Sequence, residues 1–170
     1  MEQLRLLLEQ LIAFESQEDL IAIGREINEV KINFEDHLIE AERVQQIAML
    51  DAAEKGESID SIDFADIKNE FITRYKAIQE KRKQQISLKD TLERENLKLK
   101  KGLLDELKRI IESEEHIASA FQSYKNIHET WKKIGDIPRD QRDGIQKEYA
   151  RLLEIFFYTM RIYREIKDHD

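Results

Sequence analysis

Four histidines, His37, His116, His128 and His169, are the first place to look for chemistry in this chain. Imidazoles ligate metals and move protons near neutral pH. In a di-iron helical bundle each such His follows a Glu by three residues, so that both project inward from one helix face. The residues at that spacing here are Phe34, Ser113, Lys125 and Ile166, so the pattern fails. There is no cysteine, which excludes disulfides, thiolate zinc sites and Cys nucleophiles. A glycine-rich phosphate loop, a nucleophile elbow and a His-Glu-x-x-His pair are missing as well. Carboxylate pairs abound, but among 36 acidic residues a pair is more often a solvated helix face than an acid–base couple. The expectation is no enzyme, with no catalytic residue, cofactor or metal.

Charge is the second lead. The net charge of −8 argues against general affinity for nucleic acid, yet it is unevenly spread. Residues 1–70 carry 18 acidic and 6 basic groups, net −12, whereas residues 71–109 carry 6 acidic and 12 basic, net +6. Arg74, Lys76, Lys81, Arg82, Lys83, Lys89, Lys98, Lys100 and Lys101 fall on one helical pattern. The bland explanation is intramolecular: an acidic helix over 17–54 packs antiparallel and offsets them, as in coiled-coil pairing. The sharper one makes Arg74, Lys76, Lys81, Arg82, Lys83, Lys98, Lys100 and Lys101 an anion or partner face, with RNA as the anion. Aromatics for base stacking are absent between residues 76 and 120, which disfavours sequence-specific single-strand recognition.

WKKIGDIPRDQRDGI, from Trp131 to Ile145, gathers the one Trp and one Pro with two of the five Gly. These residues read as a helix–turn–helix corner. Gly135 suits the left-handed position that ends a helix, with Trp131 three residues inside the end. Pro138 stops the helix and extends Ile137, and Asp140 caps the next one. Ile137 then folds back on Trp131.

This stretch, followed by an amphipathic helix rich in Tyr and Phe, resembles the signature of the bacterial family called domain of unknown function 349. The likeness continues upstream through Asn96, Leu97, Lys100, Leu103, Leu104, Leu107, Phe121, Tyr124 and Ile127, and downstream through Phe157, Tyr158 and Ile162–Glu165. It covers roughly residues 90–170. Gly144, Ile145 and Gln146 stand where the family often has a large aromatic. The resemblance implies a small three-helix unit, frequently repeated in tandem, and brings no catalytic residues. One copy is visible, and the tail Ile166–Asp170 lacks a Gly cap, which reads as part of a longer protein.

The elements that must position these residues are helices. Charged residues make up 38% of the chain, and Gly and Pro number only six, a composition suited to long amphipathic helices. Leu4, Leu7, Leu8, Leu11 and Ile12 mark a first helix over about 2–14. Ser16 and Asp19 form a weak capping box. From there Leu20, Ile23, Ile27, Val30, Phe34, Leu38, Ala41, Val44 and Ala48 make a heptad-like seam. EKGESIDSID, 54–63, punctuates it, with Gly56 as terminator and Ser61 or Asp63 as the next cap. Phe64, Ile67, Phe71, Tyr75, Ile78, Leu92, Leu99, Leu103, Leu107 and Ile110 outline a helix over 64–112, about 70 Å if unbroken. Ser113 offers a cap, with Glu114 and Glu115 in the following turn. Ile117, Ala120, Phe121, Tyr124, Ile127 and Trp131 mark a short helix. Ile145, Tyr149, Leu152, Phe156, Met160, Tyr163 and Ile166 mark the last, widened by Leu153 and Phe157.

The expected fold is all-α: an elongated helical hairpin, a coiled-coil-like arm, leading into a three-helix bundle. Residues 1–63 form the acidic helices of the hairpin, 64–112 a long connecting helix and 90–170 the bundle. The N-terminus lacks a basic start and no apolar run reaches roughly 18 residues, so the chain reads as soluble and cytoplasmic, with no membrane partner. The expected function is a non-enzymatic protein–protein interaction or scaffolding module, with another protein or a second copy as partner. A nucleic-acid- or ribosome-associated factor using residues 74–101 is the second choice.

Overall fold

The computed structural model describes residues 1–113 and 116–169, with side chains through Lys167. Among them are five helices: α1 (Glu2–Glu15), α2 (Gly24–Glu54), α3 (Ala65–Glu112), α4 (Ile117–Lys133) and α5 (Arg142–His169), with a 3-10 turn at Arg139–Gln141 and no strand. The fold is all-α. The chain divides into two compact units, Met1–Ser87 and Leu88–Asp170, and α3 contributes to both.

In the first unit, Leu4, Leu7, Leu8 and Leu11 of α1 meet Ile27, Val30, Phe34 and Leu38 of α2, and Ile67, Phe71 and Ile78 of α3 close the core. Phe34 and Phe71 stack with ring centroids 3.9 Å apart. The helix expected over 17–54 begins only at Gly24. Ser16 is not an N-cap, because its hydroxyl donates back to the Ala13 carbonyl at 2.8 Å and closes α1. The Asp19 carboxylate accepts from the Ile21 and Ala22 amides at 3.0 and 3.3 Å, and this local bonding favours a turn over continued helix.

The far end of α2 terminates as its sequence requires. Gly56 takes φ +73°, its amide donates to the Ala53 carbonyl at 3.1 Å, and the Glu57 amide reaches the Ala52 carbonyl at 2.8 Å. That pair of bonds is a Schellman closure, which needs a residue free to adopt positive φ. Of the two candidates for the next cap, Asp63 serves: its carboxylate accepts from the Ala65 amide at 2.9 Å. The expected seam stops short, since Val44 and Ala48 are exposed. They line an open groove with Met1, Leu4 and Ile59 instead.

In the second unit, the core joins Leu104, Leu107 and Ile110 of α3, Ala120, Ile127 and Trp131 of α4, and Tyr149, Leu152, Phe156 and Met160 of α5. The seam read through Leu92 and Leu99 is corrected: those two are 50% and 57% exposed. Leu97, Lys100, Leu104 and Leu107 face inward instead, and Leu92 and Leu99 lie roughly 100–120° round the helix from that face. Phe121 and Ile166 are also exposed. Ser113 closes α3 rather than capping α4. Its amide donates to the Arg109 carbonyl and its hydroxyl to the Ile110 carbonyl, both at 3.0 Å. Glu114 and Glu115 lie outside the described residues, and the cap residue of α4 is His116. No helix among the described residues is long and apolar enough to cross a membrane.

Candidate functional site

The corner between α4 and α5 is built around Trp131. Its ring is buried and stacks on Tyr149, with centroids 3.9 Å apart and 18° between planes. Lys100 reaches the ring from α3, its Nζ 4.7 Å from the centroid, a cation–π contact. The Tyr149 hydroxyl pairs with His128 Nδ1 at 2.9 Å. Burial pushes the Tyr149 phenol up to about 12, and the nearby Tyr124 phenol adds to the shift. Ile137 is buried in the same cluster as Trp131.

Gly135 does not have the conformation expected of it. α4 ends at Lys133, the extended Ile134 follows, and the Ile134 amide donates to the Trp131 carbonyl at 3.2 Å. Among the described residues only Gly56 has positive φ. Close approach accounts for Gly135 instead, because a Cβ there would lie 3.3 Å from the Asn96 amide nitrogen. That nitrogen donates to the Asp136 carbonyl at 2.7 Å and ties the corner to α3. Pro138 precedes the 3-10 turn and accepts from the Gln141 amide at 2.9 Å. Asp140 lies within that turn and not at the cap of α5, which starts at Arg142. Arg142 Nε secures the loop by donating to the Ile137 carbonyl at 3.1 Å. The four corner residues are thus structural in their contacts.

The basic face is not a single feature. Arg74 pairs with Glu15 of α1 at 3.0 Å and with Glu70 at 3.9 Å. Arg82 lies against Gly24 and donates to the backbone carbonyls of Leu20 and Ile21, at 3.1 and 3.5 Å. Gln85 beside it accepts from the Leu20 amide at 2.9 Å and donates to the Glu18 carbonyl at 2.8 Å. Lys100 is engaged with Trp131. Lys76, Lys81, Lys83, Lys98 and Lys101 are exposed and form no ion pair among the described residues. No described carboxylate of α2 pairs with a cation of α3. The direct contacts between the two segments are instead the apolar seam and the Arg82 and Gln85 bonds to residues 18–21.

A surface that the sequence reading missed lies on the outer side of α2. Ile32, Ile39, Ile47 and Leu50 are all exposed there, Ile39 at 64% and Leu50 at 66%. Steps of seven and eleven residues return to nearly one side of an α-helix, so Ile32, Ile39 and Leu50 line up opposite the core-facing Ile27, Val30 and Phe34. The signal was present in that spacing but lay under the stronger inner seam. Arg43 crosses the stripe and is held by Glu40, at 2.7 and 3.1 Å. The Arg43 guanidinium in turn keeps the Glu40 carboxyl below the usual carboxylate range. A cleft alongside is lined by Ile39, Glu42, Arg43, Gln46, Ile62 and Lys68. Among the described residues no group of three or more His, Asp or Glu is placed to hold a metal.

Residues 66–140 match the family model described as Domain of Unknown Function (DUF349). The match begins upstream of the span 90–170 expected from the resemblance and takes in the Trp131–Pro138 corner, but it stops at residue 140 and leaves out α5. Neither the curated proteins nor the solved structures provide a match.

Proposed function

Starting from a chain whose residues 66–140 match the model of the unknown-function family 349, we propose a non-enzymatic protein–protein interaction or scaffolding module of the bacterial cytoplasm. One observation carries the reading: α2 has two apolar sides, and only one is covered. Its inner side is seated in the first core, while Ile32, Ile39, Ile47 and Leu50 face outward. Large apolar side chains aligned along one helix face mark an interaction surface more than isolated ones do. Two of the groups with chemical potential have structural partners, His128 in Tyr149 and Arg82 in backbone carbonyls.

Isolation of the native chain with its bound proteins tests this. Partners should survive nuclease treatment and fall away when Ile39 and Leu50 are both changed to Glu. Partners unaffected by that change, or lost with nuclease, would contradict the reading.

The second reading, contact with RNA, rests on the exposed and unpaired Lys76, Lys81, Lys83, Lys98 and Lys101. It predicts RNA binding that falls steeply with salt as counterions are released. Weak binding at low salt with a shallow slope would remove it.

A further inference from the structure

A second apolar stripe is exposed on α3, in the other unit. Leu88, Leu92 and Leu99 are all outside the core, and their steps of four and seven keep them on one side of the helix. Leu88 and Leu99 are eleven residues apart, as are Ile39 and Leu50 on α2. Equal spacing lets one stripe lie along the other in register.

The charges around the two stripes are opposite. Between residues 32 and 54 stand six acidic groups and one basic, net −5. The one cation, Arg43, is already bonded to Glu40. Between residues 88 and 101 on α3 stand five basic groups and three acidic, net +2. Lys89 and Lys98 are exposed on the flanks of the leucines, with Glu95 between Leu92 and Leu99. An α2 face meeting another α2 face would bring like charges together, and two α3 stripes would do the same. An α2 face meeting an α3 stripe combines apolar contact with charge attraction, which sets partner choice at helix pairs.

We propose that the outer face of α2 binds the Leu88–Leu92–Leu99 stripe of a second copy of this chain. The inference rests on the interaction-module reading above and names a partner for it. Because the two surfaces differ, the contact is heterologous and closes as a reciprocal dimer or extends from copy to copy.

Sedimentation of the full chain from about 1 to several hundred μM tests the proposal, with circular dichroism to show that each variant folds. The substitutions keep the charge sign of each surface and remove only apolar area: I39E with L50E on α2, and L92K with L99K on α3. The parent should self-associate, more weakly as salt screens the charges. Either double variant should weaken association at least tenfold. A mixture of the two double variants retains one intact α2 face and one intact α3 stripe, and should regain association that stops at a dimer.

A parent that stays monomeric throughout the range would overturn the proposal. So would association that survives either double change, a mixture that remains monomeric, or association lost on nuclease treatment. A monomeric chain that still holds other proteins through Ile39 and Leu50 would remove the second copy as partner and leave the interaction reading intact.

Discussion

Trp131 and Tyr149 lie face to face, 3.9 Å between ring centroids, and so join the end of α4 to the first turns of α5. Aromatic pairs of this kind add about 0.5–1.5 kcal/mol beyond the area they bury. Trp131→Ala removes the pair, the Lys100 contact and a large buried volume together. The second unit should lose about 3–5 kcal/mol, as for other large aromatic truncations. Denaturant unfolding measures this; a loss under about 1 kcal/mol would contradict a core role for the ring.

Tyr149 gives the same unit a dependence on high pH. Its folded pKa, raised by burial to about 12, lies above the unfolded value near 10. The folded state therefore favours the neutral phenol. That stabilisation is complete below about pH 10 and is lost as pH rises through about 12. Tyr149→Phe should have a flatter stability curve than the parent between these limits. Absorbance titration should show one of the five tyrosines ionising late, and that late step should vanish in the variant.

Arg82 and its lysine neighbours should separate cleanly. Arg82→Ala removes charged donors from the Leu20 and Ile21 carbonyls and should cost the first unit about 1–3 kcal/mol. Lys81→Glu and Lys83→Glu touch no described partner and should stay within about 0.5 kcal/mol. Thermal melts at low and high salt check this. A large, salt-sensitive loss from the lysine changes would revive the charge-offset account of the α2–α3 packing.

Asn96 and Gly135 form one contact and should behave as one. Asn96→Ala leaves the Asp136 carbonyl without its 2.7 Å donor, and Gly135→Ala crowds the same amide group. Each change should cost about 1 kcal/mol. The double change should cost less than the sum, because both act through one interaction. Strict additivity in a double-mutant cycle would show that the two are independent.

Helix type and extent were legible where periodicity was unopposed. α3 runs to Glu112 as its pattern requires, and Gly56 closes α2 because only one local conformation completes both bonds there. The reading failed where a side chain competes with the helix, as Asp19 does before Gly24. It failed at Gly135 because a close approach from Asn96, 39 residues away, leaves no local signature. Leu92 and Leu99 misled for a related reason: in a polar stretch, several apolar lines round α3 fit the sequence, and packing in the second unit selects Leu97 and Leu104. At the candidate site, the lysines were visible as charge. Which cations are committed to a ring, a carboxylate or a carbonyl emerges only from tertiary structure. The outer stripe of α2 was written in the spacing of Ile32, Ile39 and Leu50 but was outweighed by the core seam.

The central claim is that proteins cover the outer face of α2. A photo-reactive amino acid placed at Ile39 in the native chain, with a matched control at exposed Glu26 on the same helix, tests it most directly. Irradiation in cells should yield protein adducts at position 39, absent at position 26 and suppressed when Leu50 is changed to Glu. Adducts to RNA, equal labelling at both positions, or no adduct at position 39 would contradict the account.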